Sequence, residues 1–295
     1  MYKFETVQEL VKLAREKNSK ISEIVLSREV QTSERSRDEI WNDMKKNLQV
    51  MKDSVRKGLE MEGKSPSGLV GGDARKINKL RLEGKTLSGD AISKVVVYAL
   101  AVSEINACMG RIVACPTAGS CGILPGALLA AGEILDSTDE ELISALFTSA
   151  GIGIVIATNA SISGAEGGCQ AECGSASAMA AGAIVELAGG TPEQVAQGVA
   201  LALKNSLGLV CDPVAGLVEV PCVKRNGFIA PQALVSADLA LAGVESVIPV
   251  DEVIHAMGQI GKALPVELRE TAGGGLAKTP TALEIEARLF GVKNK

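Results

Sequence analysis

Aromatic residues make up 2% of this 295-residue chain while glycine supplies 32 positions, and that imbalance limits the fold more than any other feature of the sequence. A core without large rings must be filled by Ala, Val, Ser and Gly, whose short side chains require backbones in near contact if ordinary interior density is to be reached. Such an interior tolerates little enlargement. With 46% of residues apolar there is material for one large core or two smaller ones, and disorder is excluded.

Helical signals dominate the chain. Thr6-x-x-Glu9 and Ser36-x-x-Glu39 have capping-box form, and after the second the residues Ile40, Met44, Leu48, Met51, Val55 and Leu59 fall on one helical face. That stripe is expected to pack on a core. Gly63 to Gly72 (GKSPSGLVGG) breaks any helix and predicts a turn or mobile loop. A further helix is expected from about Ser88 through Val95, Ala99 and Val102 to Asn106. Thr138-x-x-Glu141 and Thr191-Pro192-Glu193-Gln194 mark two more starts, and Asp251 is expected to cap a helix running through Ile254 and Met257. No repeated period-two alternation and no hairpin dipeptide between apolar runs is present. The expected fold class is all-α. An amphipathic helical region over 1–62 packs on a compact helical catalytic domain over 63–295, and Gly-rich loops form the site.

The formal charge of −5 argues against a nucleic-acid partner, which needs clustered Lys and Arg. Between Cys108 and Val223 the only basic residues are Arg111 and Lys204, so no basic groove can be built there. The N-terminal MYKFETVQELVKL has charges interrupting each apolar run, so neither signal nor transit peptide is expected and the address is taken as cytoplasmic. Leu142 to Ala165 holds no charge and is long enough to span a bilayer. Its Ser, Thr, Asn and Gly content, without a Lys/Arg belt, points instead to a buried helix and a polar site loop, with no membrane partner.

All seven cysteines lie between Cys108 and Cys222. Without an export signal they are expected to be reduced thiols, and their clustering hints at a metal centre. Three segments carry them. CPTAGSCGILPG (Cys115 to Gly126) reads either as an amide cradle for a carboxylate or as a Gly-rich turn with buried thiols. NASISGAEGGCQAECGSASAMAAG (Asn159 to Gly182) concentrates polarity inside apolar sequence, which fits a ligand site or, through its Gly and Ala, simple helix packing. CDPVAGLVEVPC (Cys211 to Cys222) sets two thiols beside prolines on a loop, without zinc or ferredoxin spacing. His255 is the only histidine and reads as structural, which leaves no histidine base. RETAGGGLAKTP places Arg269 beside a triple-glycine loop, either to hold a carboxylate or simply in solvent.

Taken together, SEINACMGRIVACPTAGSCGILPG, NASISGAEGGCQAE, NSLGLVCDPVAGLVEVPCVKRN and RETAGGGLA resemble the iron–sulfur-dependent L-serine dehydratases, specifically the α chain of the two-chain form. The resemblance runs from Ser103 to Ala277. It implies that Cys169, Cys211 and Cys222 hold a [4Fe–4S] cluster whose fourth iron, lacking a protein thiolate, takes the substrate hydroxyl, with no pyridoxal phosphate. Cys108, Cys115, Cys121 and Cys173 are then surplus thiols of the core or its margin. The reaction implied is loss of water and then ammonia from L-serine, giving pyruvate and ammonium. Thr117, Ser120 and Asn159, with Arg269 for the carboxylate, are expected to position the amino acid, and Ser161 or Ser163 to act as the base.

Single-chain relatives of that family carry an extra N-terminal domain that this chain is expected to lack, so a separate β subunit is expected. Some also end near a cysteine that can occupy the open iron, whereas this chain finishes GVKNK, and oxygen sensitivity is therefore a prediction. Two rival readings stand beside this one. One is a related iron–sulfur lyase acting on L-cysteine, releasing sulfide, or on L-threonine. The other is a helical protein whose thiols bind zinc or report redox state.

Overall fold

The small-residue interior resolves into packed helices. In the computed structural model, which describes residues 2–291, the order is α1 (Val7–Glu16), α2 (Ile21–Ser33), α3 (Arg37–Glu60), α4 (Asp73–Leu82), α5 (Gly89–Ala107), α6 (Ile123–Ile134) and α7 (Asp139–Asn159). The short α8 (Gly164–Gly167) follows, then α9 (Ser175–Leu187), α10 (Pro192–Lys204), α11 (Cys222–Leu241), α12 (Val250–Ala263) and α13 (Pro280–Phe290). No strand occurs among the described residues, and one isolated parallel bridge joins Cys211 to Arg269. The class is all-α, as expected. Of the terminal GVKNK, residues 292–295 lie outside the described residues.

Helix α9 is the axis of the fold. Every residue from Ser175 to Glu186 is buried, and α6, α7, α10 and α11 pack around it. Its SASAMAAGAIVEL sequence explains the arrangement, since four helices can close on one axis only where side chains are short. A second close crossing lies at α5. A methyl on Gly58 would sit 2.3 Å from the Ala101 carbonyl oxygen, and one on Gly126 would sit 2.7 Å from the Ala99 nitrogen. Helices α3 and α6 therefore meet α5 at backbone contact.

Local signals placed several helix starts. Thr6, Ser36, Thr138 and Thr191 each form a capping box, and the α3 stripe is inward, with Ile40, Leu48, Met51 and Val55 buried in the same core as Leu10, Ile24 and Ile123. Asp251 does something different from its expected role. It lies inside α12, whose N-cap is Pro249, and its carboxylate accepts the Val7 and Gln8 amides at 2.8 and 3.0 Å, capping α1. Glu186 acts likewise at a distance. From within α9 it accepts the Ile21 amide at 2.8 Å and the Thr148 hydroxyl at 2.7 Å, closing the start of α2.

The 63–72 loop is pinned down. Ser65 and Ser67 donate to Glu219 Oε2 at 2.6 and 2.7 Å, which ties the loop to the segment leading to Cys222. Helix α7 is long and apolar enough to cross a membrane, yet 61% of its apolar window is buried against neighbouring helices, so it is accounted for as a core helix.

Candidate metal centre

The entry to α9 builds one wall of the site. Gly168 adopts φ +73, and a methyl there would lie 2.9 Å from the Leu209 carbonyl oxygen, so the chain turns sharply just before Cys169 where a side chain has no room. Gln170–Gly174 then forms a π-helical turn, a departure from α geometry that recurs at functional sites. Gln170 holds that turn in place. Its Nε2 donates to the Met257 carbonyl at 3.1 Å, and its Oε1 accepts the Gly208 amide at 2.9 Å.

Cys211 is paired by one isolated bridge with Arg269, which follows a 3-10 turn over Val266–Leu268 and precedes the triple-glycine loop. Its amide donates to the Leu268 carbonyl at 2.9 Å and its carbonyl accepts the Glu270 amide at 2.8 Å. Asp212 then captures the loop itself, accepting the Leu276 amide at 2.8 Å. Cys222 opens α11, and Arg225, one turn later, donates to Cys169 Sγ at 3.4 Å and to Asp212 Oδ1 at 2.7 Å.

The result is a buried meeting of sulfur and carboxylate. Ligand atoms of Cys169, Glu172 and Cys211 all lie within 4.8 Å of one another, and all three residues are buried. Cys169 carries the negative charge of the group. Hydrogen bonds from the Cys173 and Cys211 thiols, with the Arg225 guanidinium alongside, hold its pKa down to about 3 against the cost of burial. The same bonds hold the Cys173 and Cys211 thiols well above the usual range. Cys222 is pushed up to about 12 by burial, then by the Cys169 and Glu172 charges, but it is not among the residues whose ligand atoms meet within 4.8 Å.

Glu172 is 8% exposed and is pushed up to about 7 by burial and by the neighbouring Cys169 charge. Its Oε1 accepts the Thr117 hydroxyl at 2.8 Å, and Cys211 Sγ is 3.9 Å from Oε2. The carboxylate occupies a slot lined by glycine. A methyl on Gly119 would lie 3.1 Å from it, and one on Gly164 would lie 2.6 Å from it and 3.2 Å from Glu270 Oε2.

The remaining sequence-predicted residues divide between two places. Thr117 and Ser120 sit at the Glu172 slot, their hydroxyls 3.1 Å apart, and the loop amides of Thr117, Ser120 and Gly122 are taken by Ser120, Thr117 and Asn226 side chains. Asn159, Ser161 and Arg269 instead line a neighbouring cavity of about 320 Å³ together with Glu166 and His255. Ser161 Oγ donates to Glu166 Oε2 at 2.6 Å, while Ser163 starts α8 through its carbonyl. The Asn159 amide group is committed to the Glu5 and Val155 carbonyls. Arg269 connects the two places, since its main chain bridges to Cys211 while its buried Nε has no partner.

Of the surplus thiols, Cys173 joins the sulfur group, whereas Cys115 bonds the Val113 and Cys121 carbonyls and Cys121 is fully buried in the core. Sequence reasoning missed Glu172, Asp212 and Arg225. The usable signal was charge: a buried thiolate needs a cation, and VPCVKRN sets an arginine one helical turn from Cys222.

Buried sulfur donors from two separate segments, with a counter-cation and a carboxylate beside them, make a site of the thiolate metal-binding class on a helical fold and fit an iron–sulfur group. Residues 16–277 match the family model described as serine dehydratase alpha chain, and the chain belongs to that family. It is 54% identical over 288 residues to the probable L-serine dehydratase, alpha chain, of Bacillus subtilis, covering 98% of this chain and 96% of that one. It is 45% identical to the L-serine dehydratase, alpha chain, of Peptoniphilus asaccharolyticus over 95% of this chain and 96% of that one. Against L-serine dehydratase TdcG of Escherichia coli the identity is 39%, over 94% of this chain but 62% of that protein.

Proposed function

We propose that this chain is the α subunit of a cytoplasmic iron–sulfur L-serine ammonia-lyase that converts L-serine to pyruvate and ammonium. The observation that carries the reading is the buried gathering of Cys169, Cys211 and Glu172. Cys169, Cys211 and Cys222 would hold a [4Fe–4S] cluster, which when bound would supply a Lewis acid for the departing hydroxyl. Pyridoxal phosphate plays no part.

The rest falls to side chains of the protein. Arg269 takes the substrate carboxylate, a role supported by its buried, unpartnered Nε. The hydroxyls of Thr117 and Ser120 orient the amino acid beside Glu172. Asn159 lines the adjoining cavity and contributes through its side-chain oxygen, its amide being engaged elsewhere. Ser161 or Ser163 removes the α-proton, and a Ser161 base would pass its hydroxyl proton to Glu166, whose Oε2 is 2.6 Å from Ser161 Oγ. Loss of the α-proton and the hydroxyl gives an enamine, which tautomerises to an imine and hydrolyses to pyruvate and ammonium. A separate β subunit completes the enzyme. The description of the Bacillus subtilis and Peptoniphilus asaccharolyticus relatives as alpha chains supports that expectation.

Anaerobic reconstitution with iron and sulfide, followed by pyruvate assays on L-serine, L-threonine and L-cysteine with and without a β chain, tests the reading. Cys211→Ala is expected to lose both brown colour and activity. Full activity without a cluster would refute it.

A further inference from the structure

One buried cation has no role in the reaction as described. Arg225 has a side chain only 16% exposed, yet its guanidinium reaches three parts of the site. Nη1 donates to the Val210 carbonyl at 2.8 Å and to Cys169 Sγ at 3.4 Å, while Nη2 donates to Asp212 Oδ1 at 2.7 Å. Asp212, 4% exposed, uses its other oxygen to hold the Leu276 amide at 2.8 Å. One planar group thereby links the turn bearing Cys169, the segment bearing Cys211 and the helix opened by Cys222. Among the described residues no other Lys or Arg is bonded to a cysteine sulfur.

The charge pattern explains why a cation belongs there. As thiolate ligands Cys169, Cys211 and Cys222 would add their negative charge to that of Asp212, and burial makes such an excess costly unless it is paired. A guanidinium answers both needs, because its rigid fork fixes several acceptors at once where an ammonium offers only a point charge.

We propose that Arg225 is the positioning residue of the metal centre: through Asp212 and Val210 it sets the spacing of the three cysteine segments, and it keeps positive charge against the Cys169 sulfur. Retention of the cluster and its reduction potential then both depend on this side chain. The proposal rests on the assignment of Cys169, Cys211 and Cys222 to a cluster.

The test uses the full chain, purified and reconstituted anaerobically, as the unsubstituted protein, Arg225→Gln and Arg225→Lys. Two quantities are read: the half-life of the iron–sulfur absorbance against an iron chelator, and the midpoint potential by spectroelectrochemistry. Arg225→Gln should lose its absorbance about tenfold faster, the scale on which groups bonded to metal ligands act. Its potential should move lower, because the reduced cluster is the more negative state. Arg225→Lys retains charge without the fork, so it should keep the potential and still lose absorbance faster than the unsubstituted chain. Far-UV dichroism checks folding, and if Arg225→Gln does not fold, an unchanged half-life in Arg225→Lys overturns the proposal. Equal half-life and potential in a folded Arg225→Gln overturn it too, and leave the cluster assignment standing. Failure of the unsubstituted chain to take up any cluster would instead overturn that assignment.

Discussion

Gly58 gives a direct measure of how tightly the helices are pressed together. Gly58→Ala adds a methyl 2.3 Å from the Ala101 carbonyl oxygen, 2.6 Å from its carbon and 2.7 Å from its Cα. All three are backbone atoms of α5, so no rotamer change relieves the contact. Ordinary contact begins at 3.4 Å, and α3 must therefore shift by about 1.1 Å. Overpacking of this kind costs about 1–3 kcal/mol, against a helix-propensity gain for alanine of at most about 1 kcal/mol. Because all three clashes are with fixed backbone, the cost falls in the upper part of that range, about 2–3 kcal/mol, and the net loss is about 1–2 kcal/mol. With an unfolding entropy of about 0.6 kcal/mol/K for a chain of this length, the melting temperature should fall by roughly 2–3 °C. Gly153→Ala in α7 is the control, because its methyl meets only the thioether end of Met179 at 3.1 Å, which can move aside. It should leave the melting temperature unchanged or raise it by about 1 °C. Calorimetry of the metal-free chain at one scan rate reads both signs. A Gly58→Ala variant melting at or above the unsubstituted protein would show that backbone contact between α3 and α5 is not what holds them.

Two further substitutions probe the long-range caps and the site loop. Glu186→Ala leaves the Ile21 amide and the Thr148 hydroxyl without their acceptor, and should cost about 2–4 kcal/mol, lowering the melting temperature by roughly 3–6 °C; a change under about 1 °C would refute the buried cap. Gly275→Ala forces an alanine into φ +59 with its methyl 2.4 Å from Asp212 Oδ2, so the Leu276 amide should release Asp212. Activity of the reconstituted enzyme should drop about tenfold, as for other groups that support a metal site, while melting changes by less than about 3 °C; unchanged activity would show that the loop does not need this anchor.

Where a rule acts within a few residues, the chain could be read directly. The Thr-x-x-Glu starts and the α3 stripe are of this kind, since a cap and a buried face depend on neighbours three or four positions away. Asp251 shows the limit. It has the right identity and place to cap its own helix, but the donors it satisfies are amides 243 and 244 positions earlier, a pairing that no local pattern contains. The site divides the same way. Cysteine placement marked the metal centre, whereas Arg225 reaches Cys169 across 56 positions and Glu172 gains its importance only from the folding of the Thr117 loop over it. The polar run from Asn159 to Ser163 reads as one cluster, yet the end of α7 lies between, and it leaves the Asn159 amide facing the N-terminal segment.

The bond from Asp251 to the first helix also bears on the order in which the protein is finished during synthesis. Domains tend to fold as they emerge, but α1 cannot acquire this acceptor until α12 has left the ribosome, and α2 must wait similarly for Glu186. The earliest helices made are thus among the last to be sealed, and a nascent chain stalled before residue 251 would carry an open seam at its own beginning.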